Sequence, residues 1–208
     1  QAAFIPVGAL SLLPLHAAAP DDLVVSYAPN ARALGLAQAM ASDYTDDELR
    51  LLAVDNPHHT LKHADEGIET ILSHFHHQRR ASGKMATLNT VLRELECCDV
   101  AHFLCHGYLD TQDAPASGLQ LRWRRLTLRD LLSRRLPGLR LAFLAACETN
   151  IPDLSVVDEA IALPAGFVQA GAADVVGTLW SVEEQSTVKL TEKFYHYWIE
   201  QGMEPAAA

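Results

Sequence analysis

Apolar residues in this chain fall into two patterns. Five short segments are apolar at nearly every position: 23–27 (LVVSY), 51–54 (LLAV), 100–105 (VAHFLC), 139–146 (LRLAFLAA) and 174–180 (DVVGTLW). A strand buried on both faces reads this way, because neither side of its pleat meets water. Between these segments the apolar spacing is helical. Residues 61–77 place Leu61, Ala64, Ile68, Ile71, Leu72 and Phe75 on one face, and 87–96 do the same with Leu88, Val91, Leu92 and Leu95. Further helices are predicted over 31–41, after the turn signal Pro29-Asn30, and over 127–136, where Thr127 and Asp130 stand at capping spacing. Residues 156–170 and 183–201 complete the set. Strand and helix alternate, which predicts an α/β fold with a mostly parallel central sheet and helices on both faces. No repeat or Gly/Ser-rich linker interrupts the order, so residues 1–208 read as one domain. The segment 119–125 (LQLRWRR) instead alternates, with Leu119, Leu121 and Trp123 on one side. It predicts a half-exposed strand or hairpin after a loop at 108–118.

Residues 2–19 are apolar and end in alanines, in the manner of a leader peptide, but Pro6 and Pro14 break the run and the first Arg is Arg32. The chain starts at Gln1, so the expectation is the interior of a longer protein, with a buried strand followed by a helix here. No apolar run is long enough to span a bilayer, so no membrane partner is expected. Apolar residues make up 49% and charged residues 20%, a globular balance able to bury a core. A net charge of −10 argues against nucleic acid as a partner. The four cysteines (Cys97, Cys98, Cys105, Cys147) lack C-x-x-C spacing, which disfavours a disulfide scaffold or a zinc ribbon and fits a reducing, cytoplasmic setting. Neither G-x-G-x-x-G nor G-x-x-x-x-G-K-[ST] occurs, so a nucleotide-binding protein is disfavoured and no cofactor is expected.

In an open α/β sheet, ligands bind beyond the carboxyl ends of the strands. That rule singles out His106-Gly107, Cys147-Glu148 and Trp180-Ser181. If the strands before His106 and Cys147 are neighbours, imidazole and thiol meet at one sheet edge. A thiol becomes a strong nucleophile as the thiolate, and an adjacent imidazole supplies the base. Gly107, lacking a side chain, lets its N–H approach a reacting carbonyl oxygen, and the Cys147 N–H is the second candidate donor of an oxyanion hole. The residues alone leave a second reading open, with Cys147 a small buried hydrophobe and His106 a turn residue.

Longer stretches carry a resemblance. HFLCHG (102–107), LAFLAACET (141–149), EAIALPAGFVQAGAADVVGTLWSVEEQST (159–187) and KFYHYWIEQG (193–202) resemble the CHAT domain, a caspase-like cysteine-peptidase family of clan CD. LLPLHAA (12–18), VVSYAPN (24–30) and the stretch from AVDNP (53–57) to LKHADEGIETI (61–71) are similar to it as well, so the resemblance spans essentially the whole chain. It implies a caspase-like α/β fold and a catalytic dyad of His106 and Cys147. By that resemblance the Cys147 thiolate attacks a scissile carbonyl and the N–H groups of Gly107 and Cys147 hold the oxyanion. His106 protonates the leaving amine, and water hydrolyses the thioester. The family also implies a peptide groove lined by Trp180, Ser181 and Val182, although Trp180 reads equally as core. Asp158, with Glu148, Asp153 and Glu159 nearby, either lines a first specificity pocket that prefers Arg or Lys, or caps a helix near residue 157. Ala145 stands where aspartate-specific relatives carry a polar residue, which disfavours aspartate specificity. Asp110 is a candidate orienter of His106 and equally a turn residue.

The resulting expectation is a cysteine endopeptidase acting on protein or peptide substrates. An activating or docking partner, or a preceding array of helical repeats, would control it. The alternative is a silent interaction module of the same fold. Two clusters stand apart from this chemistry. His58, His59, His63, His74, His76 and His77 read as a solvated helix face rather than a metal site. Arg122, Arg124, Arg125, Arg129, Arg134, Arg135 and Arg140 read as a docking face for an acidic neighbouring domain, a repeat array or a nucleic acid, or as a solvated hairpin and helix. Vicinal Cys97 and Cys98 read as packing residues.

Overall fold

Every residue of the segment 51–54 is buried, as two-sided burial of a central strand requires. The computed structural model describes residues 1–41, 48–110, 112–146, 163–180 and 182–208. Among these residues the main sheet has five strands, all parallel: β3 (Arg50–Asp55), β4 (His77–Ser82), β5 (Val100–Leu104), β9 (Leu141–Ala145) and β10 (Asp174–Val176), in the order β10-β9-β5-β3-β4. The segment 23–27 is not part of it. Only Val25–Tyr27 form a strand, β2, which pairs in parallel with β1 (Ala2–Phe4) in a separate two-stranded sheet. The Tyr27 ring there packs edge-on against Phe4 and His16 and stays 41% exposed. The expected N-terminal buried strand and helix are likewise corrected. β1 is half-buried, and Pro14 separates two short 3-10 turns, Gly8–Leu12 and Leu15–Ala18.

Side chains of the central strands alternate between two apolar layers. Leu52, Val54, Ala101, Phe103, Ala142 and Leu144 point to the layer of α3 (Leu88–Leu95), α4 (Leu128–Leu132) and α5 (Leu163–Ala170). Leu51, Ala53, Val100, Leu104, Leu141 and Phe143 point to α2 (Ala64–Ser73) and α6 (Glu184–Tyr195). Each fully buried Leu or Phe contributes about 1.5–3 kcal/mol, so helices on both faces are held by the pattern read from sequence. A helix α1 over Ala31–Ala41 forms where predicted. Thr87 caps α3, and Thr127 with Asp130 closes a capping box on α4. That last helix ends at Leu132, short of the predicted 136, and the expected 156–170 helix is described only from Leu163.

β4 replaces the last turn of the predicted 61–77 helix, which stops at Ser73. Its sequence HQRRAS is polar because it is an edge strand exposed along most of its length. Its Arg80 reaches Asp55, a fully buried carboxylate at the end of β3, with Nε and Nη2 at 2.9 and 2.6 Å from Oδ2. Glu183–Gln201 divides into α6 and a wider π turn, His196–Glu200, which buries Trp198 beside Tyr195.

The alternating segment forms an antiparallel sheet of β6 (Gly107–Tyr108), β7 (Gly118–Gln120) and β8 (Arg125–Thr127). Leu119 and Leu121 are buried, but Trp123 is 70% exposed, because the chain reverses where the Leu121 N–H meets the Arg124 carbonyl. Gly118 is required by space. A Cβ there would strike the Leu126 carbonyl and lie 2.8 Å from the Thr127 Cα, both backbone atoms. Gly118→Ala is therefore expected to cost about 2 kcal/mol, lowering Tm by about 4–8 °C in a thermal melt. An unchanged melt would show that the hairpin opens without cost.

Candidate active site

β5 ends at Leu104, and the chain continues through buried Cys105 to half-buried His106. The His106 carbonyl accepts the Gln120 N–H at 2.8 Å, which ties this corner to β7. Gly107 opens β6 opposite Leu119. On the imidazole, Nε2 lies 2.8 Å from Thr60 Oγ1, in the loop between β3 and α2. Asn56 shapes that loop. Its Oδ1 accepts the N–H groups of Thr60 and Leu61 at 2.9 and 3.1 Å, and its Nδ2 donates to the Leu61 carbonyl at 3.0 Å. The Asn56 N–H donates to the Leu104 carbonyl at 2.8 Å, and its φ of 39° lies in the left-handed region that Asn tolerates. The sequence reading missed Thr60. The only signal was the Asn-Pro turn directly after a buried strand.

β5 and β9 are neighbours, with Leu104 opposite Ala145. His106 and Cys147 are each the second residue beyond that pair. Cys147, Asp158 and Ser181 lie outside the described residues, as do Glu148, Asp153 and Glu159. After β9 the chain is described through buried Ala146, whose carbonyl accepts the Thr178 hydroxyl at 3.1 Å. That bond fastens the segment after β10 to the end of β9. β10 stops at Val176, so Trp180 stands beyond the strand and is 53% exposed, which removes the reading of Trp180 as core. Val182 is half-buried.

Asp110 does not reach His106. Its Oδ1 accepts the N–H groups of Gln112 and Asp113, both at 3.0 Å, and these bonds hold its carboxyl below the usual carboxylate range. It is a turn residue.

The described thiols differ sharply. Burial pushes Cys105 up to about 12 and Cys98 likewise, so both are protonated near neutrality and poor nucleophiles. Cys97 is exposed, against the expectation of packing, and precedes the amino end of β5, the opposite end of the sheet from His106.

The histidine cluster is not one solvated face. His58 bonds the Leu121 carbonyl through Nε2 at 3.1 Å, His59 has a φ of 56°, and His63 precedes α2. His74 stacks on Tyr195 and contacts Glu200 at 3.1 Å. Among the described residues, no three His, Cys, Asp or Glu side chains converge to hold a metal ion. The arginines are also dispersed. Arg129 pairs with Asp113 and Arg134 with Glu96, the Arg125 guanidinium lies 3.4 Å over the Tyr108 ring, and Arg140 is buried against Asp174 and Glu204. No helix among the described residues is long and apolar enough to cross a membrane.

A family model described as the CHAT domain matches residues 2–208. No curated protein matches the chain.

Proposed function

The chain belongs to the CHAT domain family, a caspase-like family, and from that premise we propose that it is a cysteine endopeptidase using His106 and Cys147. One observation carries the reading. β5 and β9 are adjacent and parallel, and the two residues follow the same register pair, Leu104 and Ala145, by the same number of positions. In a caspase-like sheet this supports a thiolate and an imidazole working on one substrate at the carboxyl edge. The burial of Cys105 and Cys98 and the remote position of Cys97 support Cys147 as the nucleophile.

In the proposed cycle the Cys147 thiolate adds to the scissile carbonyl, and the N–H groups of Gly107 and Cys147 take the oxyanion. His106 gives its proton to the departing amine as the C–N bond breaks. Water then adds to the thioester and returns a proton to His106, and the C–S bond breaks to restore the thiolate. Trp180, Ser181 and Val182 follow the neighbouring strand, where an extended peptide adds as a further strand. Asp158 stays a candidate for selecting a basic side chain.

The test is a peptide-library digest read by mass spectrometry, with wild type and Cys147→Ala side by side. Cleavage by the wild type that is lost in the variant is the expected result. Equal cleavage by both removes Cys147 as the nucleophile. No cleavage by the wild type favours a docking module on the same fold.

A further inference from the structure

We propose that Thr60 is the positioning residue of this site: its hydroxyl holds His106 through Nε2, so that Nδ1 is the nitrogen that exchanges protons with the reactants. The inference rests on the peptidase reading for its chemistry, but its geometry stands separately. Thr60 Oγ1 and His106 Nε2 are 2.8 Å apart, and both ends of this contact hang from one residue of β5. His106 is the second residue after Leu104, and Asn56, which fixes the Thr60 backbone, is itself bonded to the Leu104 carbonyl. Asn56 is buried and uses its amide on three backbone groups of its own loop, so the hydroxyl is presented by a short, closed framework. A ring held this way loses little orientational freedom when the reactants arrive.

In the proposed cycle the Thr60 hydroxyl, which can donate or accept, accepts from Nε2–H and leaves Nδ1 to the reactants. The imidazolium carries a proton on each nitrogen, so its Nε2–H donates to Thr60 Oγ1 and its Nδ1–H faces the reaction. When Nδ1 gives its proton to the departing amine, Nε2 keeps its own and the bond to Thr60 persists. Nδ1 then holds the lone pair that takes a proton from the attacking water. One nitrogen cycles while the other stays fixed. Asp110, the carboxylate a triad would call for, is committed to its own turn, and no described carboxylate bonds His106. Thr60 supplies orientation through a neutral hydroxyl.

The test uses the full chain with Thr60→Val and Thr60→Ser, and two readouts. The first is the side-chain ¹⁵N spectrum of His106, which distinguishes Nε2–H from Nδ1–H rings and needs no turnover. The neutral ring is expected to be a single Nε2–H tautomer in wild type and Thr60→Ser, and a mixture in Thr60→Val. The second is kcat against KM on a peptide cleaved by the wild type. Thr60→Val is expected to lower kcat by about 10–100-fold with KM within about threefold, and Thr60→Ser to restore it. An unchanged tautomer together with unchanged kcat in Thr60→Val overturns the proposal. A tautomer change in a protein whose wild type cleaves nothing supports the positioning role and overturns the peptidase reading instead. A thermal melt of Thr60→Val checks that it is folded, and Thr60→Ser, which keeps the hydroxyl, separates a lost bond from a lost fold. If Thr60→Ser behaves as Thr60→Val in both readouts, the hydroxyl is not the cause and the proposal fails.

Discussion

His106→Ala is expected to lower kcat for peptide cleavage by about 10³-fold, the worth of a placed proton-transfer group. Its stability should barely change. The imidazole is half-buried, and its hydrogen bond to Thr60 is worth about 1 kcal/mol net. That corresponds to about 2–4 °C in Tm for a domain of this size. The combination matters, because a corner residue needed only for the turn into β6 would show the reverse, a clear loss of Tm and a small loss of rate. The His106 carbonyl bonds Gln120 through the backbone, which the substitution leaves in place. Measuring kcat and Tm on the same preparation separates the two roles. Activity retained within tenfold would remove His106 from proton transfer, while a drop in Tm beyond 8 °C would assign it to the fold.

The central sheet was legible because its strands carry their burial in the sequence. LLAV, VAHFLC and LAFLAA are apolar on both faces, and both faces are covered. β4 was not legible, since an edge strand needs few apolar residues and HQRRAS has almost none. Its Arg80 nonetheless meets the buried Asp55, a pairing that only the register of β3 with β4 reveals. The segment 23–27 failed in the opposite way. Its apolar run suits a core strand, but it pairs only with β1 and stays half-exposed. At the site, the place of His106 at a strand end was legible, the pairing of its strand with β9 stood only as a condition until the register supplied it, and Thr60 depends on a loop shaped by Asn56, whose bonds leave no periodic trace. Trp123 and Trp180 show the limit of alternation: past a turn or a strand end, an apolar side chain has no face to follow.

Acid should weaken this protein from about pH 6.5 downward, before its carboxylates begin to be protonated, because of His102. The residue lies in the middle of β5, fully buried, stacked on Phe143 at 4.9 Å with Nδ1 3.2 Å from the Tyr195 hydroxyl. Its Nε2 is buried without a partner, and burial pushes its pKa from an ordinary 6.5 down to about 3. The native state therefore keeps a neutral ring down to about pH 3, while the unfolded chain binds a proton from about pH 6.5 downward. Proton uptake by the unfolded state alone lowers the unfolding free energy as pH falls, by about 1.4 kcal/mol per unit inside that window. The stabilisation is fully present above pH 6.5 and drains away below it. Between pH 7 and 4.5 the loss is about 2.5 kcal/mol, and about 4 kcal/mol by pH 3.5. His102→Gln removes the titration and keeps a polar group near Tyr195, so it should be less stable than wild type at pH 7 yet lose less between pH 7 and 4.5. Urea unfolding at the two pH values measures both. Parallel losses in wild type and variant would place the acid sensitivity elsewhere and would mean that the imidazole in β5 is reached by a proton without unfolding.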